Sequence, residues 1–395
     1  MKILQTFVLI FSLFAINTIN AQDIAPFKKS IKFGGRIMYD LENYSQGDYS
    51  FRGSEFRRVR LFSAGKVAKN VSAKIQMDFA KSGVIFRDVY LKFGAIPKIG
   101  GHFYIGSFTE PSRLEQISSS KYITFIERAS ANNWVAKWNT GLMYDNSEMM
   151  DGRLGMQLSY MFGSSSHEGG NHILKNIENT KDLGNSITGR FTGLIVNDKE
   201  NKRWVHLGAS YSVRTPDLID SVRIKTIKEK PPVHLGPSFV HYSFKGIDNY
   251  QILGLETFAI LGPFSFQAEY AGTTVNPISG EAFSIPSYYA YVSYFLTGEN
   301  RRYKNSYHAF SSVKPKSNFC VTDGGWGAWE IAARYAAFDM TNVAATPDLV
   351  ASDITIGLNW YLNENTRIMY NFIYGDDGIN PDKVNGHVMR FQINF

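Results

Sequence analysis

Cysteine is almost missing from this chain of 395 residues. Cys320 stands alone, so no disulfide can form within the chain and no cysteine-based metal site can be built. Long hydrophobic runs are missing too. After residue 21 no apolar stretch approaches the roughly 18–20 residues that a membrane helix requires, and the mean hydropathy of −0.20 is that of a water-soluble protein. Helical membrane proteins are thereby excluded. A transmembrane β-barrel escapes the test, because only alternate residues of each strand face lipid. No Pro/Ser-rich linker, charge block or composition break divides the chain, which reads as one domain from residue 31 to residue 395.

The N-terminus is different. Phe7 to Ile16 form a short apolar run behind Met1-Lys2, and Ala21 supplies the small residue of a signal peptidase site. Residues 1–21 are expected to be a signal peptide, with residues 22–30 a short lead on the periplasmic side. Removing residues 1–21, which hold one lysine and no acid, leaves a mildly basic chain of formal charge +6.

What is abundant is aromatic. Tyr, Phe and Trp number 22, 29 and 6, a composition suited to strands and to the interfacial girdles of a barrel. Sixteen alternating or aromatic-rich segments begin near residues 31, 51, 71, 85, 101, 139, 152, 186, 203, 248, 263, 284, 327, 352, 366 and 386. Short joints such as Leu261-Gly262-Pro263 alternate with long ones at residues 110–138, 214–247 and 300–326. The long ones are expected to be outer loops. The last segment ends on Phe395, with Met389, Phe391 and Ile393 on one face and Arg390, Gln392 and Asn394 on the other. A closing strand that ends on an aromatic predicts an all-β, transmembrane antiparallel β-barrel of about sixteen strands in a bacterial outer membrane; a half-buried strand of a soluble sandwich is the alternative.

Parity assigns the faces. Phe264, Phe266, Ala268 and Tyr270 are expected to meet lipid while Ser265, Gln267 and Glu269 look inward. Val71, Ala73, Ile75, Met77 and Phe79 look outward, and Lys74, Gln76 and Asp78 inward; Ile354, Ile356, Leu358 and Trp360 oppose Thr355, Gly357 and Asn359. Polar inward residues argue for a water-filled lumen rather than a small soluble barrel packed with apolar side chains. Lys32, Arg36, Arg58, Arg60, Lys74 and Arg214 fall at inward parity, and an excess of cations there favours anions. A wall neutralised by Asp78, Asp88 and Glu269 would be only weakly selective. Because charges on a wide wall are screened over about 8 Å, selectivity needs a constriction. The segment Thr109 to Trp138 is the candidate: folded inward as the third loop, it would bring the hydroxyls of Ser118, Ser119 and Ser120 and the charge of Lys121 to the axis. The alternative is a solvated surface loop with a helix cap at residues 118–121.

The ordered signposts Phe56-Arg57-Arg58, Thr109 to Arg128, Val205-His206-Leu207-Gly208, Leu296-Thr297-Gly298-Glu299, Gly327-Ala328-Trp329-Glu330 and Met389-Arg390-Phe391 resemble the phosphate-selective porin family of the O and P type across nearly the whole mature chain. The resemblance implies sixteen strands, a homotrimer and an anion pathway constricted by the third loop. It implies an arginine set at Arg57, Arg58, Arg128, Arg214 and Arg223, with Lys225 in place of a further arginine, a basic constriction residue at Lys74, and loop hydroxyls at Ser119 and Ser120. Parity instead pairs Arg58 with Arg60. One departure is Gln116, five residues before Lys121, where the family pattern has a lysine.

The expected function is passive passage of small inorganic anions, phosphate foremost, with no cofactor, metal or turnover. A general, weakly selective porin and a closed adhesion barrel using loop 214–247 are the alternatives. His167 with His172, and His234 with His241, lack flanking ligands at metal-site spacing and read as loop histidines. No nucleic-acid role is expected, since the basic residues are spread among strands.

Overall fold

The structure, a computed structural model, describes residues 30–395 except 82, 95–98, 131–136, 164–179, 305–307 and 344–348. The expected signal peptide, nearly all of the lead, and His167 and His172 therefore lie outside the described residues. Sixteen antiparallel strands close into one barrel. They are β1 (Ser30–Gln46), β2 (Tyr49–Ala68), β3 (Val71–Lys81), β4 (Gly83–Gly94), β5 (His102–Thr109), β6 (Trp138–Glu148), β7 (Leu154–Met161), β8 (Asn185–Asp198), β9 (Arg203–Thr215), β10 (Ile247–Leu261), β11 (Phe264–Pro277), β12 (Phe283–Phe295), β13 (Ala328–Asp339), β14 (Val350–Tyr361), β15 (Thr366–Asp376) and β16 (Val384–Asn394). β16 closes onto β1 from Arg36↔Asn394 to Ser45↔Asn385, and the Gly35 N–H donates to the Phe395 carbonyl at 2.8 Å.

Alternation sets the faces as the sequence implies. On β11, Phe264 and Tyr270 are exposed on the outside while Ser265, Gln267 and Glu269 are buried inside; on β14, Ile354, Ile356 and Leu358 are exposed and Asp353, Thr355 and Asn359 buried. Trp329 and Trp360 stack at 5.0 Å on the outer face, the amphipathic rings expected of an interfacial girdle.

Of the β-bulges that break the alternation, two lie on β2 and β4 beside the lumen's cations. Met38 pairs with Arg58 but Tyr39 with Phe56, leaving Arg57 as the extra residue on β2. Ile75 pairs with Val89 but Met77 with Phe86, so Arg87 and Asp88 together oppose Gln76. A bulge adds one residue on one strand and re-aims its side chain. Arg57 and Arg58 consequently both reach the lumen, as do Arg87 and Asp88.

The connections correct one expectation. Counting strands around the barrel places the β12–β13 connection, residues 296–327, at the end that carries the termini and the short turns 199–202, 262–263 and 362–365, opposite the connections 110–137 and 216–246. Residues 300–326 are therefore not an outer loop. The Phe319 N–H donates to the Leu362 carbonyl at 2.7 Å and Trp360 to the Trp326 carbonyl at 2.9 Å, which ties the segment to the turn 362–365. Residues 216–246 also do more than form a loop: Asp217–Ile219, Val222–Glu229 and Val240–Lys245 join Thr180–Asp182 in a four-stranded sheet.

Nor is the lumen an open bore. Inward arginines Arg190, Arg214, Arg301, Arg334 and Arg390 are fully buried, because inserted chain covers them. Residues 110–130 of the third loop enter and bond across the barrel. Leu114 and Glu115 N–H groups donate to Glu269 on β11, Ile126 N–H to Asn371 on β15, and Ser130 to Asp353 on β14. Arg301, from the opposite end, reaches the Tyr122 carbonyl at 2.8 Å. The loop thus leans on β11 to β16 and leaves space beside β1 to β7.

Candidate functional site

That space is a cavity of about 610 Å³ bounded by β1 to β7, the third loop, His234 and Lys304 of the opposing segment. Among its described lining residues are ten Lys and Arg (Arg36, Arg57, Arg58, Arg60, Lys74, Arg87, Lys121, Arg128, Lys137 and Lys304) against two Asp, Asp88 and Asp145. Asp78 and Glu127 lie behind four of the arginines, and counting them leaves six cations in excess. The wall is salt-bridged, and it remains strongly basic.

Three clusters organise it. At the first, Glu127 of the loop takes a two-pronged bond from Arg57, at 2.9 and 3.0 Å, a bond from Arg390 at 2.7 Å and a longer one from Arg58 at 3.4 Å. Burial opposes the charge on Glu127, but Arg57, Arg58 and Arg390 outweigh it and hold the carboxyl well below the usual carboxylate range. At the second, Asp78 accepts from Arg60 at 2.8 Å and from Arg87 at 3.1 Å, and both guanidiniums lie over the Trp138 ring, 5.0 and 4.6 Å from its centre. Trp138 donates to Asp88, which also pairs with Lys74.

The third cluster carries the cations that carboxylates neutralise least. Arg36 donates to Ser120 Oγ at 2.8 Å and to Ser119 Oγ at 3.3 Å, and the next residue is Lys121. Burial, then repulsion from Arg36, Lys74 and Lys304, pushes Lys121 down to about 8. It carries its proton below that value and loses it above, and a bound anion would raise the value. Preference for chloride over potassium is therefore expected to decline as the pH rises from about 7 to about 9, and to lose most of this dependence in Lys121→Gln. Reversal potentials across a salt gradient at each pH measure it; an equal slope in the variant would remove Lys121 from the pathway.

The expected residues divide. Arg36, Arg57, Arg58, Arg60, Lys74, Ser118, Ser119, Ser120, Lys121 and Arg128 all line the cavity. Within it Ser118 turns its hydroxyl to the Leu114 carbonyl at 2.7 Å, closing the helical turn Leu114–Ile117, so of the three serines it behaves as the cap. Arg128 bonds the Glu115 and Ser118 carbonyls and folds the loop on itself. Four residues lie elsewhere. Lys32 is exposed, four residues or about 13 Å of strand before Arg36. Arg214 is fully buried against Glu110 at the root of the third loop. Arg223 bonds the Pro216 carbonyl and Asp182, and Lys225 lies over the Tyr250 ring at 5.2 Å, both within the four-stranded sheet region.

Arg87, Lys137 and Lys304 are lining cations beyond those expected. Strict parity puts Arg87 on the lipid face, and nothing in the sequence places Arg301 or Lys304 inside the barrel. Among the described residues, Asp40, Glu42 and Glu55 gather closely enough for cation ligation. Arg390 already bonds both Asp40 oxygens, at 2.7 and 2.6 Å, the Leu235 N–H bonds Glu42, and His234 bonds Glu55.

Residues 31–395 match the family model described as phosphate-selective porin O and P. The chain belongs to that family. Porin O of Pseudomonas aeruginosa is 26% identical over 376 residues, covering 86% of this chain and 81% of its own. Among solved structures, the anion-selective porin from Comamonas acidovorans superposes with a TM-score of 0.55 at 13% identity, over 93% of this porin and all of that chain. The trimer form of OmpT from Vibrio cholerae gives 0.53 at 11% identity, over 93% and 100%. At these identities the superpositions speak for the sixteen-stranded fold. Family and fold together make this protein a bacterial outer-membrane porin for small anions.

Proposed function

We propose that the cavity is the constriction of a passive, diffusion-driven pathway for phosphate and related oxyanions. The observation that carries this reading is the cluster of Arg36, Ser119, Ser120 and Lys121, in which hydroxyls and cations converge where the third loop meets the wall. Hydroxyl and N⁺–H donors at close quarters replace part of an oxyanion's hydration, and charge-assisted bonds to phosphate oxygens are the strong ones. Arg57, Arg58, Arg60, Lys74 and Arg87 supply the field that concentrates anions. The family description supports phosphate in particular.

A general porin remains the second reading, and Gln116 is what favours it. It lines the cavity as a neutral amide whose Oε1 accepts no hydrogen bond from the described residues. The reading assigns no turnover, cofactor or nucleic acid. It takes residues 1–21 as the export signal, residues 22–30 as the lead, and a homotrimer in outer-membrane lipid as the working assembly.

Single purified channels in a planar bilayer decide between them. The expected result is a chloride-selective reversal potential in a KCl gradient, with chloride current blocked by added phosphate. A selective potential without block would leave a general anion porin. A potential near zero, or no conductance, would overturn the reading.

A further inference from the structure

The cavity is much larger than the ion so far assigned to it, and part of its wall is aromatic and apolar. At 610 Å³ it holds about 20 waters' worth of volume and falls in the range of small-molecule sites, whereas phosphate has only five heavy atoms. Cations occupy the β1 to β3 sector, the loop, the Lys304 position and the Arg87 end of β4. On β4 to β6 the inward positions instead carry Tyr90, Tyr104, Phe108 and Met143.

Apolar side chains belong on the outer face of a porin wall, and a water-filled lumen offers no folding gain for rings left half exposed inside it. Phe108 and Met143 are buried and form a base. Tyr90 and Tyr104 lie on that base, half-buried, with ring centres 5.2 Å apart, and Lys92 Nζ sits 5.3 Å from the centre of the Tyr104 ring, a further cation at the edge of the aromatic part. A base of packed apolar groups that presents two aromatic rings beside a cluster of cations is a two-part site: one part for a charge, one for a planar ring.

Resting on the anion-pathway reading, we propose that the cavity binds organic phosphates whose ester group is a planar ring, with the phosphate at Arg36, Ser120 and Lys121 and the ring against Tyr90 and Tyr104. Inorganic phosphate fills the charged part alone. The ring adds contact area that an alkyl ester of the same charge does not have.

Two probes of equal charge test this in the intact channel: phenyl phosphate and methyl phosphate, each titrated as a blocker of chloride current. In the wild-type porin phenyl phosphate is expected to half-block at a concentration on the order of tenfold lower. In Tyr104→Ser, and separately in Tyr90→Ser, the ratio is expected to fall toward one. Equal half-blocking concentrations in the wild type would overturn the aromatic part and leave the anion pathway standing, and this comparison needs no variant to fold. An undiminished ratio in both variants would overturn the assignment of the rings. If neither ester nor inorganic phosphate blocks and the reversal potential is near zero, the anion pathway itself fails and the inference falls with it.

Discussion

Arg36→Glu is expected to lower the ratio of chloride to potassium permeability about fivefold. One charge acting on an ion ~7 Å away in water contributes ~0.6 kcal/mol, and screening over a Debye length of ~8 Å cuts that to less than half. The substitution changes the wall by two charges, and the change acts in opposite senses on the two ions, giving ~1 kcal/mol in the ratio. Arg36 is the informative choice because the hydrogen bonds of its guanidinium go to Ser119 and Ser120 rather than to a carboxylate. Reversal potentials in a KCl gradient give the number directly. An unchanged ratio would mean that permeating ions do not pass this cluster.

Glu127→Gln should have two effects of opposite kind. The carboxylate side chain is 13% exposed and bonds three arginines from β2 and β16, so a neutral amide there leaves guanidiniums facing an N–H donor. Breaking a buried ion pair by removing one partner costs ~3–5 kcal/mol, and the residual exposure of Glu127 puts its case near the lower figure. Unfolding of the purified barrel in detergent is expected to shift by about that amount, and single-channel current to become noisier as the loop loosens. The added net positive charge should at the same time raise the preference for anions. A stable variant with quiet current would show that the loop is held by its other bonds, to Glu269, Asn371 and Asp353.

The barrel was legible in the sequence because its signal is local. Period-two alternation and turn residues located all sixteen strands, and the faces of β3, β11 and β14 followed from parity alone. The cation excess was legible for the same reason, since a charge on the lipid face would cost about 2–4 kcal/mol near the midplane. Two kinds of feature escaped. A bulge is a one-residue fault in a strand, invisible until the partner's register is known. Parity thus chose Arg58 with Arg60 and family resemblance chose Arg57 with Arg58, whereas the bulge brings all three inward. The course of long connections escaped as well. Residues 300–326 have the length and polarity of an outer loop, and only the order of strands around the barrel places them at the other end, where Arg301 pairs with Glu330 inside the wall and Lys304 reaches the cavity.

The bulge on β2 also bears on how such a pore can change over time. Removing one residue from a strand ordinarily turns every following side chain to the opposite face, which for a barrel in lipid is lethal to the fold. Arg57 is an exception, because Phe56 outside, Arg58 inside and Val59 outside already alternate once it is gone. Loss of this single codon therefore removes one positive charge from the lumen while keeping the rest of the strand in phase, a route to new selectivity in one genetic step.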